Sequence, residues 1–184
     1  RGGQSNDPAL RVSSSAQFLE LGTKTSLRIN NVAFRKIRAA PGYPVATIYD
    51  ADVMMDRGLI QESEGRSARS LILLNRTHAT VENMEFYENN VTEVGRGLLQ
   101  ASNSELNVSN SVFANNEGGG IYFHSDGHGS CFNSSFSRND YYGVYVHPNA
   151  IRAVAVTNNI FDSAANGSAH IYVDRASEAS VMFY

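Results

Sequence analysis

The chain has 184 residues, of which 42% are hydrophobic and 18% charged, and 15 Lys+Arg against 18 Asp+Glu give a formal net charge of -3. This composition excludes a disordered tail, and the lack of a basic excess argues against a nucleic-acid partner. The single cysteine, Cys131, excludes an intrachain disulfide. The longest apolar runs, about four residues, are far shorter than the ~20 that a membrane-spanning helix needs. We expect no membrane span, no metal and no cofactor.

The chain divides into a short lead-in and one domain. Residues 1–16 are predicted to be a linker or lead-in segment, because glycines and a proline interrupt any regular pattern there. Residues 17–184 are predicted to form a single repetitive domain. Its last repeat begins at His170, and the sequence stops at Tyr184, partway through that repeat. We therefore expect the domain to be part of a longer protein with further coils, or to associate end to end with another subunit.

A short strand-like segment recurs along the domain with a period of about 25 residues. Aliphatic and aromatic residues alternate in it, which favours a β-strand. In chain order, its members are Gln17-Phe-Leu-Glu20, Val45-Ala-Thr-Ile48, Ser70-Leu-Ile-Leu73, Gly97-Leu-Leu-Gln100, Gly120-Ile-Tyr-Phe123, Gly143-Val-Tyr-Val146 and His170-Ile-Tyr-Val173.

A second motif, apolar-x-Asn-x-x-Phe, keeps the same period. Its members are Ile29-Asn-Asn-Val-Ala-Phe34, Val81-Glu-Asn-Met-Glu-Phe86, Val108-Ser-Asn-Ser-Val-Phe113, Cys131-Phe-Asn-Ser-Ser-Phe136 and Val156-Thr-Asn-Asn-Ile-Phe161. Met54-Met-Asp-Arg-Gly-Leu59 fits between the first two, with Asp in place of Asn and Leu in place of Phe. Two motifs that share one variable period indicate a stack of equivalent units.

The repeat predicts an all-β fold, a right-handed parallel β-helix (solenoid) of about 6–7 coils with about 25 residues per coil. One unit of two or three strands cannot bury its apolar face alone, whereas stacked coils can. The phenylalanines that close the second motif are expected to form one column in the lumen. Its asparagines, Asn31, Asn83, Asn110, Asn133 and Asn158, are expected to form an inward ladder. Gly97, Gly120 and Gly143 are expected to allow a tight turn.

A further pattern, Phe-x-x-Asn followed by Gly-Gly-aliphatic, carries a family resemblance. Phe86-Tyr-Glu-Asn89, Phe113-Ala-Asn-Asn116 and Phe136-Ser-Arg-Asn139 match its first part, and Gly119-Gly-Ile121 matches its second. These repeats resemble those of the polymorphic outer-membrane protein (autotransporter passenger) family and, more broadly, the pectate-lyase-like right-handed β-helix superfamily. The resemblance implies the fold. It leaves function open, because that superfamily includes adhesins, tailspikes, lyases, hydrolases and epimerases.

The most distinctive predicted surface is a row of tyrosines. Alternation along the strand places Tyr122, Tyr145 and Tyr172 on the outer face and repeats them on neighbouring rungs. Two residues further on, His124, His147 and Asp174 form a parallel row. Aromatic rings beside hydrogen-bonding groups suit a carbohydrate ligand. The alternative is that tyrosine is simply a good strand residue and that like residues stabilise a sheet.

The segment from His124 to Ser130 carries the candidates for catalysis. Asp126 and His128, two residues apart in a glycine-rich turn, could act as a general acid and base, with His124 beside them. Gly127-His128-Gly129 is similar to a polygalacturonase motif, but that family also needs Asn-Thr-Asp, Asp-Asp and Arg-Ile-Lys motifs that this chain lacks. No confident catalytic residue is therefore assigned. Three aspartates with the spacing of calcium ligands, Asp50, Asp52 and Asp56, lack the glycine-rich repeat of calcium-binding β-rolls.

Several Asn-x-Ser/Thr sequons are candidates for N-glycosylation. Those expected to lie in turns or to point outward are Asn75, Asn90, Asn107 and Asn166. Asn133 also begins a sequon, but its place in the predicted inward ladder excludes a glycan.

These patterns lead to two expectations for function. The first is a non-catalytic β-helix segment, extracellular or at the cell surface, acting as an adhesin, a spacer or a building block of a filament or surface structure. The alternative is a carbohydrate-active enzyme, either a polysaccharide lyase or a glycoside hydrolase, or a polysaccharide-binding module. Its site would be the outward strip of Tyr, His and Asp side chains.

Overall fold

The computed structural model describes residues 19–21, 25–65, 70–91, 96–150, 152–162, 169–174 and 181–183. All helices and strands counted together, the described ranges contain β-strands alone, numbered β1 to β20 along the chain. Every pairing between them is parallel. None of these residues belongs to a helix long and apolar enough to cross a membrane.

Sheet A holds one strand from each successive coil. Its seven strands, in the order in which they pair, are β1 (Leu19–Leu21), β4 (Ala46–Tyr49), β7 (Ile72–Asn75), β10 (Gly97–Ser102), β13 (Gly119–His124), β16 (Tyr142–Val146) and β19 (Ala169–Val173).

Sheet B, of eleven strands, forms the opposite wall and bends in the middle. Its first half is β2 (Thr25–Asn30), β5 (Ala51–Gln61), β8 (His78–Tyr87), β11 (Glu105–Ser109), β14 (His128–Phe132), β17 (Val154–Thr157) and β20 (Val181–Phe183). Its second half is β3 (Ala33–Arg35), β12 (Val112–Ala114), β15 (Ser135–Ser137) and β18 (Ile160–Asp162), together with the ends of β5 and β8. A short third sheet pairs β6 (Glu64–Gly65) with β9 (Asn90–Val91).

The register of sheet A confirms the predicted repeat length. Successive pairings run from Leu21 in the first strand to Val173 in the seventh. The six steps cover 173 − 21 = 152 residues, or about 25 residues per coil, so equivalent residues lie above one another as the sequence motifs predict.

Left-handed backbone at fixed positions makes the corners of the coil. Among the described residues, those other than glycine with positive φ fall into three columns, one at each corner, and Asp126 is the one addition. The columns are Asp50, Arg76, Asn103 and Ser125; Asn31, Arg57, Asn83, Asn110, Asn133 and Asn158; and Lys36, Glu62, Glu88, Asn115 and Arg138. Asparagine adopts this conformation more readily than most residues, which explains its recurrence.

The predicted phenylalanine column exists in the lumen. The rings of Phe86, Phe113, Phe136 and Phe161 stack with centroids 4.6 to 5.0 Å apart and interplanar angles of 9° or less. Phe34 lies in the same column but does not stack on Phe86, because Ile60 lies between them. The expectation that Leu59 fills this place is wrong by one residue.

The predicted inward asparagine ladder is wrong. Asn31, Asn83, Asn110, Asn133 and Asn158 are all exposed, and they occur at a corner because of its positive φ. Since the corner resets the alternation of side chains, period-two counting across it fails. In the coil that contains β5, Arg57 rather than the expected Asp56 occupies this corner.

The true inner ladder consists of Asn89, Asn116 and Asn139, the asparagines that follow each phenylalanine by three residues. Asn89 Nδ2 donates to Asn116 Oδ1 (3.1 Å), and Asn116 Nδ2 donates to Asn139 Oδ1 (2.8 Å). Each Nδ2 also donates to a backbone carbonyl, such as that of Phe86 (3.0 Å). The buried amides are thereby satisfied within the column.

The repeated glycines of sheet A are needed for close packing and do not form tight turns. Gly97, Gly120 and Gly143 do not have positive φ, contrary to expectation. A Cβ at Gly120 would lie 2.8 Å from Cε1 of Phe136, and one at Gly143 would lie 2.5 Å from Cε1 of Phe161. The phenylalanine column of sheet B therefore requires glycine on the facing wall.

Candidate functional site

The predicted tyrosine row is present, and we call Tyr122, Tyr145 and Tyr172 the tyrosine strip. The register aligns the three residues on β13, β16 and β19. The rings of Tyr122 and Tyr145 stack with centroids 5.0 Å apart, and Tyr172 meets Tyr145 edge-on at 4.9 Å. Exposure increases along the strip, from 1% at Tyr122, through a half-buried Tyr145, to 47% at Tyr172. The expectation that all three rings are exposed is therefore wrong for Tyr122.

Tyr122 is buried because Arg96 and Tyr142 contact it. The guanidinium of Arg96 lies 5.3 Å from the centroid of the Tyr122 ring, and its Nη1 donates to the Tyr122 hydroxyl (3.0 Å). The Tyr142 ring is 6.5 Å from that of Tyr122, and burial raises the pKa of Tyr142 well above its usual value. Sequence analysis missed Arg96. No short-range sequence pattern indicates its contact with Tyr122, which lies 26 residues away.

The parallel row of His124, His147 and Asp174 is also present. The two imidazoles lie 4.5 Å apart, and backbone bonds align Asp174 with the next rung. His147 Nδ1 accepts a hydrogen bond from the backbone N–H of Asn149 (3.2 Å), which places the proton of the neutral ring on Nε2. Burial lowers the pKa of His147, and the charge of Asp174 acts in the opposite direction. His147 is thus a neutral hydrogen-bonding group at pH 7.

Tyr145 and Asp174 are coupled at the accessible end of the strip. The pKa of Tyr145 is raised, first by burial and then by the negative charge of Asp174, to which it is hydrogen-bonded. Its hydroxyl therefore stays protonated and donates to the carboxylate. The accessible surface combines one exposed ring, Tyr172, with the polar groups of Tyr145, His147 and Asp174. It can contact a flat, hydroxyl-rich ligand.

The candidate catalytic turn does not assemble an acid–base pair. In the strand register, His124 pairs with Ser102 and His128 pairs with Glu105. The turn between His124 and His128 is therefore one residue longer than the turn between Ser102 and Glu105 in the preceding coil. His128 Nδ1 lies 3.1 Å from the backbone carbonyl of Asp126 rather than from its carboxylate. Oδ1 of Asp126 is buried and makes no hydrogen bond, and His124 Nδ1 contacts Ser125 Oγ (2.7 Å). Asp126, His128 and His124 therefore do not converge on one point.

The acidic residues weighed as calcium ligands are separately engaged. Asp50 accepts two hydrogen bonds from Arg76 (2.6 and 2.7 Å), and these lower the pKa of its carboxyl. Asp52 lies 3.5 Å from His78 Nδ1, and Asp56 accepts from Asn83 (2.9 Å). In the part of the chain that the structure describes, no three His, Cys, Asp or Glu side chains already surround a common point.

The lone cysteine packs in the core and is not a nucleophile. Cys131 is fully buried in the lumen. Desolvation raises the pKa of its thiol to about 12. The thiolate that a nucleophile requires is therefore disfavoured at neutral pH.

The sequons differ in how their amides are engaged. Asn75 ends β7, and Asn90, which donates to Glu117, begins β9, so neither lies in a turn as expected. Asn107 donates to Glu105 (2.9 Å) and accepts from Ser130 (2.7 Å). Asn133 is exposed, which removes the reason for excluding it. Asn166 lies outside the described residues.

A family model described as "right handed beta helix region" matches residues 11–181. The chain belongs to this family. Its membership shows the handedness that the repeat predicts, whereas the finer resemblance to autotransporter passengers stays a prediction. No curated protein matches the chain.

Two solved structures are similar to this β-helix, both of trypsin-treated variants of QnrB1, a plasmid-mediated fluoroquinolone resistance protein. Each has 9% sequence identity and covers 92% of both chains, with TM-scores of 0.30 and 0.24. At such values neither structure supports an inference about this chain.

Proposed function

We propose that this chain is a non-catalytic β-helix segment on the outside of a cell, where it acts as a spacer or adhesin within a larger surface structure. The observation that carries this proposal is how the polar side chains at the corners are used. Several of them bind equivalent residues one coil away, so that the contacts run from coil to coil.

Three kinds of contact illustrate this use. Arg76 binds Asp50 from the adjacent coil through two hydrogen bonds. Asn158 donates to Asn133 (2.6 Å), again across one coil. Ion pairs join Lys36 to Glu62 (3.4 Å) and Arg38 to Glu64 (3.5 Å). Exposed pairs contribute little individually, but a continuous series restrains each coil against the next and favours a stiff rod.

The experiment separates a rod from an enzyme. The chain is incubated with acidic and neutral polysaccharides, and reducing ends and unsaturated products are measured. We expect no cleavage above that of a heat-denatured sample. Cleavage that disappears in His128→Ala would overturn the non-catalytic proposal. Antibody labelling of intact and permeabilised source cells tests location, and labelling only after permeabilisation would contradict a surface role.

A second candidate function is carbohydrate binding at the accessible end of the tyrosine strip. It is favoured by the exposed ring of Tyr172 beside the hydrogen-bonding groups of Tyr145, His147 and Asp174. A glycan array followed by affinity electrophoresis tests it. Tyr172→Ala is expected to abolish binding, whereas Tyr43→Ala, a tyrosine with the same 47% exposure, leaves it unchanged. Equal effects of both variants, or no binding by the unmodified chain, would remove this candidate.

A further inference from the structure

A column of alternating carboxylates and imidazoles crosses the outer face of sheet B, away from the tyrosine strip. The register places Asp52, His78, Glu105 and His128 at the same position of four successive coils. Neighbouring rungs are about 4.8 Å apart. The first three residues also line an open polar groove of about 260 Å³, together with Thr80 and other side chains. The proposed function uses none of these groups.

Each imidazole in the column has its Nδ1 directed at an oxygen. His128 Nδ1 lies 3.1 Å from the carbonyl oxygen of Asp126, which can only accept, and 3.5 Å from Arg152 Nη1, which can only donate. The shorter contact favours the tautomer with the proton on Nδ1. His78 Nδ1 lies 3.5 Å from the carboxylate of Asp52, which favours the same tautomer. In both rings Nε2 is left with a free lone pair.

The carboxylate between the two histidines is oriented in a comparable way. Glu105 Oε1 accepts a hydrogen bond from Asn107 Nδ2 (2.9 Å), and no described residue donates to Oε2. Metal-binding histidines usually donate their second N–H to a carboxylate or a carbonyl, and ligating carboxylates are themselves hydrogen-bonded. This supporting partner is present for His78, Glu105 and His128. Each of the three also has one atom available to bind a metal ion, Nε2 in the histidines and Oε2 in Glu105.

We propose that His78, Glu105 and His128 bind a divalent transition metal ion, with zinc as the best fit. Two imidazoles and one carboxylate form a donor set that suits zinc, and three protein ligands leave a fourth position for water. Binding requires rotation of the side chains, since no three of the described ligand-type groups surround a common point without it. The side chain of His78 is 77% exposed and can lean toward the middle rung.

Two positive charges lie near the proposed ligands. Arg28 lines the same groove, and Arg152 lies beside His128. Arg152 Nη1 lies 3.5 Å from His128 Nδ1 and brings a positive charge to that end of the column. The site therefore predicts an unusual response to mutation: removing this arginine strengthens metal binding, whereas removing a ligand weakens it.

Isothermal titration of the untagged chain with zinc chloride tests the proposal, and the visible spectrum of the cobalt(II) form reports the coordination geometry. We expect one ion per chain. His78→Ala, Glu105→Gln and His128→Ala should each weaken binding at least tenfold. His170→Ala removes another exposed histidine, which lies on β19, and should leave affinity unchanged. Circular dichroism of each variant checks that the fold is intact.

Two further variants test the residues next to the proposed zinc ligands. Asp52→Ala, which removes the group that orients His78, should weaken binding about tenfold, a typical effect for an outer-sphere partner. Arg152→Ser should tighten binding. No zinc binding by the unmodified chain, or binding that folded His78→Ala and His128→Ala retain in full, would overturn the proposal.

Discussion

Two columns of asparagine run along this solenoid, and they repeat for opposite reasons. Asn110 and Asn116 lie three residues before and three residues after Phe113. Asn110 is exposed with φ of 49°, and its side chain makes no hydrogen bond within the described part of the chain. Asn116 is 1% exposed, and its amide makes four hydrogen bonds.

The difference shows that one repeated residue type can serve either the backbone or the side chain. In the outer column asparagine recurs because it tolerates left-handed backbone at a corner, and some of its members, such as Asn158 and Asn133, also join adjacent coils by a side-chain hydrogen bond. In the inner column it is selected because its amide can donate and accept at once, which satisfies buried polar groups from coil to coil. Substitutions at Phe113, Asn116, Asn110 and Glu88, each with a control, test this comparison.

The largest effect is expected at the phenylalanine between the two columns. Phe113→Ala should lower the free energy of unfolding by about 3–5 kcal/mol, through lost transfer free energy and the cavity left in the stack. Its neighbour Val112, which is 40% exposed, is the matched control, and Val112→Ala should cost about 0.5 kcal/mol or less. Urea unfolding measures both variants. Similar costs would show that the inside and outside of β12 have been exchanged.

The second-largest loss of stability is expected at Asn116 in the inner column. Asn116→Ala should cost about 3 kcal/mol, because it leaves the buried backbone N–H of Asn89 without an acceptor and removes one of the two acceptors of Asn89 Nδ2. Asn103→Ala, at an exposed corner, is the comparison and should cost about 1 kcal/mol. The same urea titration applies. A smaller loss for Asn116→Ala than for Asn103→Ala would contradict the inner ladder.

The outer asparagine should respond to backbone conformation alone. Asn110→Ala should cost about 1 kcal/mol, since alanine is strained at positive φ. Asn110→Gly should be nearly neutral because glycine adopts this φ freely. Thermal unfolding of the pair tests the point. If glycine is as destabilising as alanine, the side chain of Asn110 contributes more than its conformation.

The smallest expected effect is a gain in stability, at Glu88. Glu88 occupies the third corner with φ of 53° and is exposed. Glu88→Asn should stabilise the protein by about 0.5 kcal/mol, because asparagine is less strained there. A small rise in melting temperature is the expected readout. Glu88→Ala, the control, should give no gain, and a gain as large as that of Glu88→Asn would argue against the conformational explanation.

The sequence predicted the parallel solenoid, the repeat length and the Phe86–Phe161 stack, because these depend on periodicity over many coils. Prediction from the sequence failed where the local backbone conformation decides whether a side chain points inward or outward. The corner at Asn110 resets the alternation of side chains, so counting by two from Val108 gave the wrong side. It also failed at Tyr122, because Arg96 covers that ring across 26 residues of sequence, a contact that no short-range pattern shows. The tyrosine strip was therefore correct in register and wrong in the exposure of Tyr122.

Hydrogen exchange of side-chain amides, followed by NMR, tests the central distinction without a mutation. We predict that the Nδ2 protons of Asn89, Asn116 and Asn139 are protected, whereas those of Asn110 exchange rapidly with solvent. Equal rates in the two columns, or protection of Asn110 alone, would contradict the account.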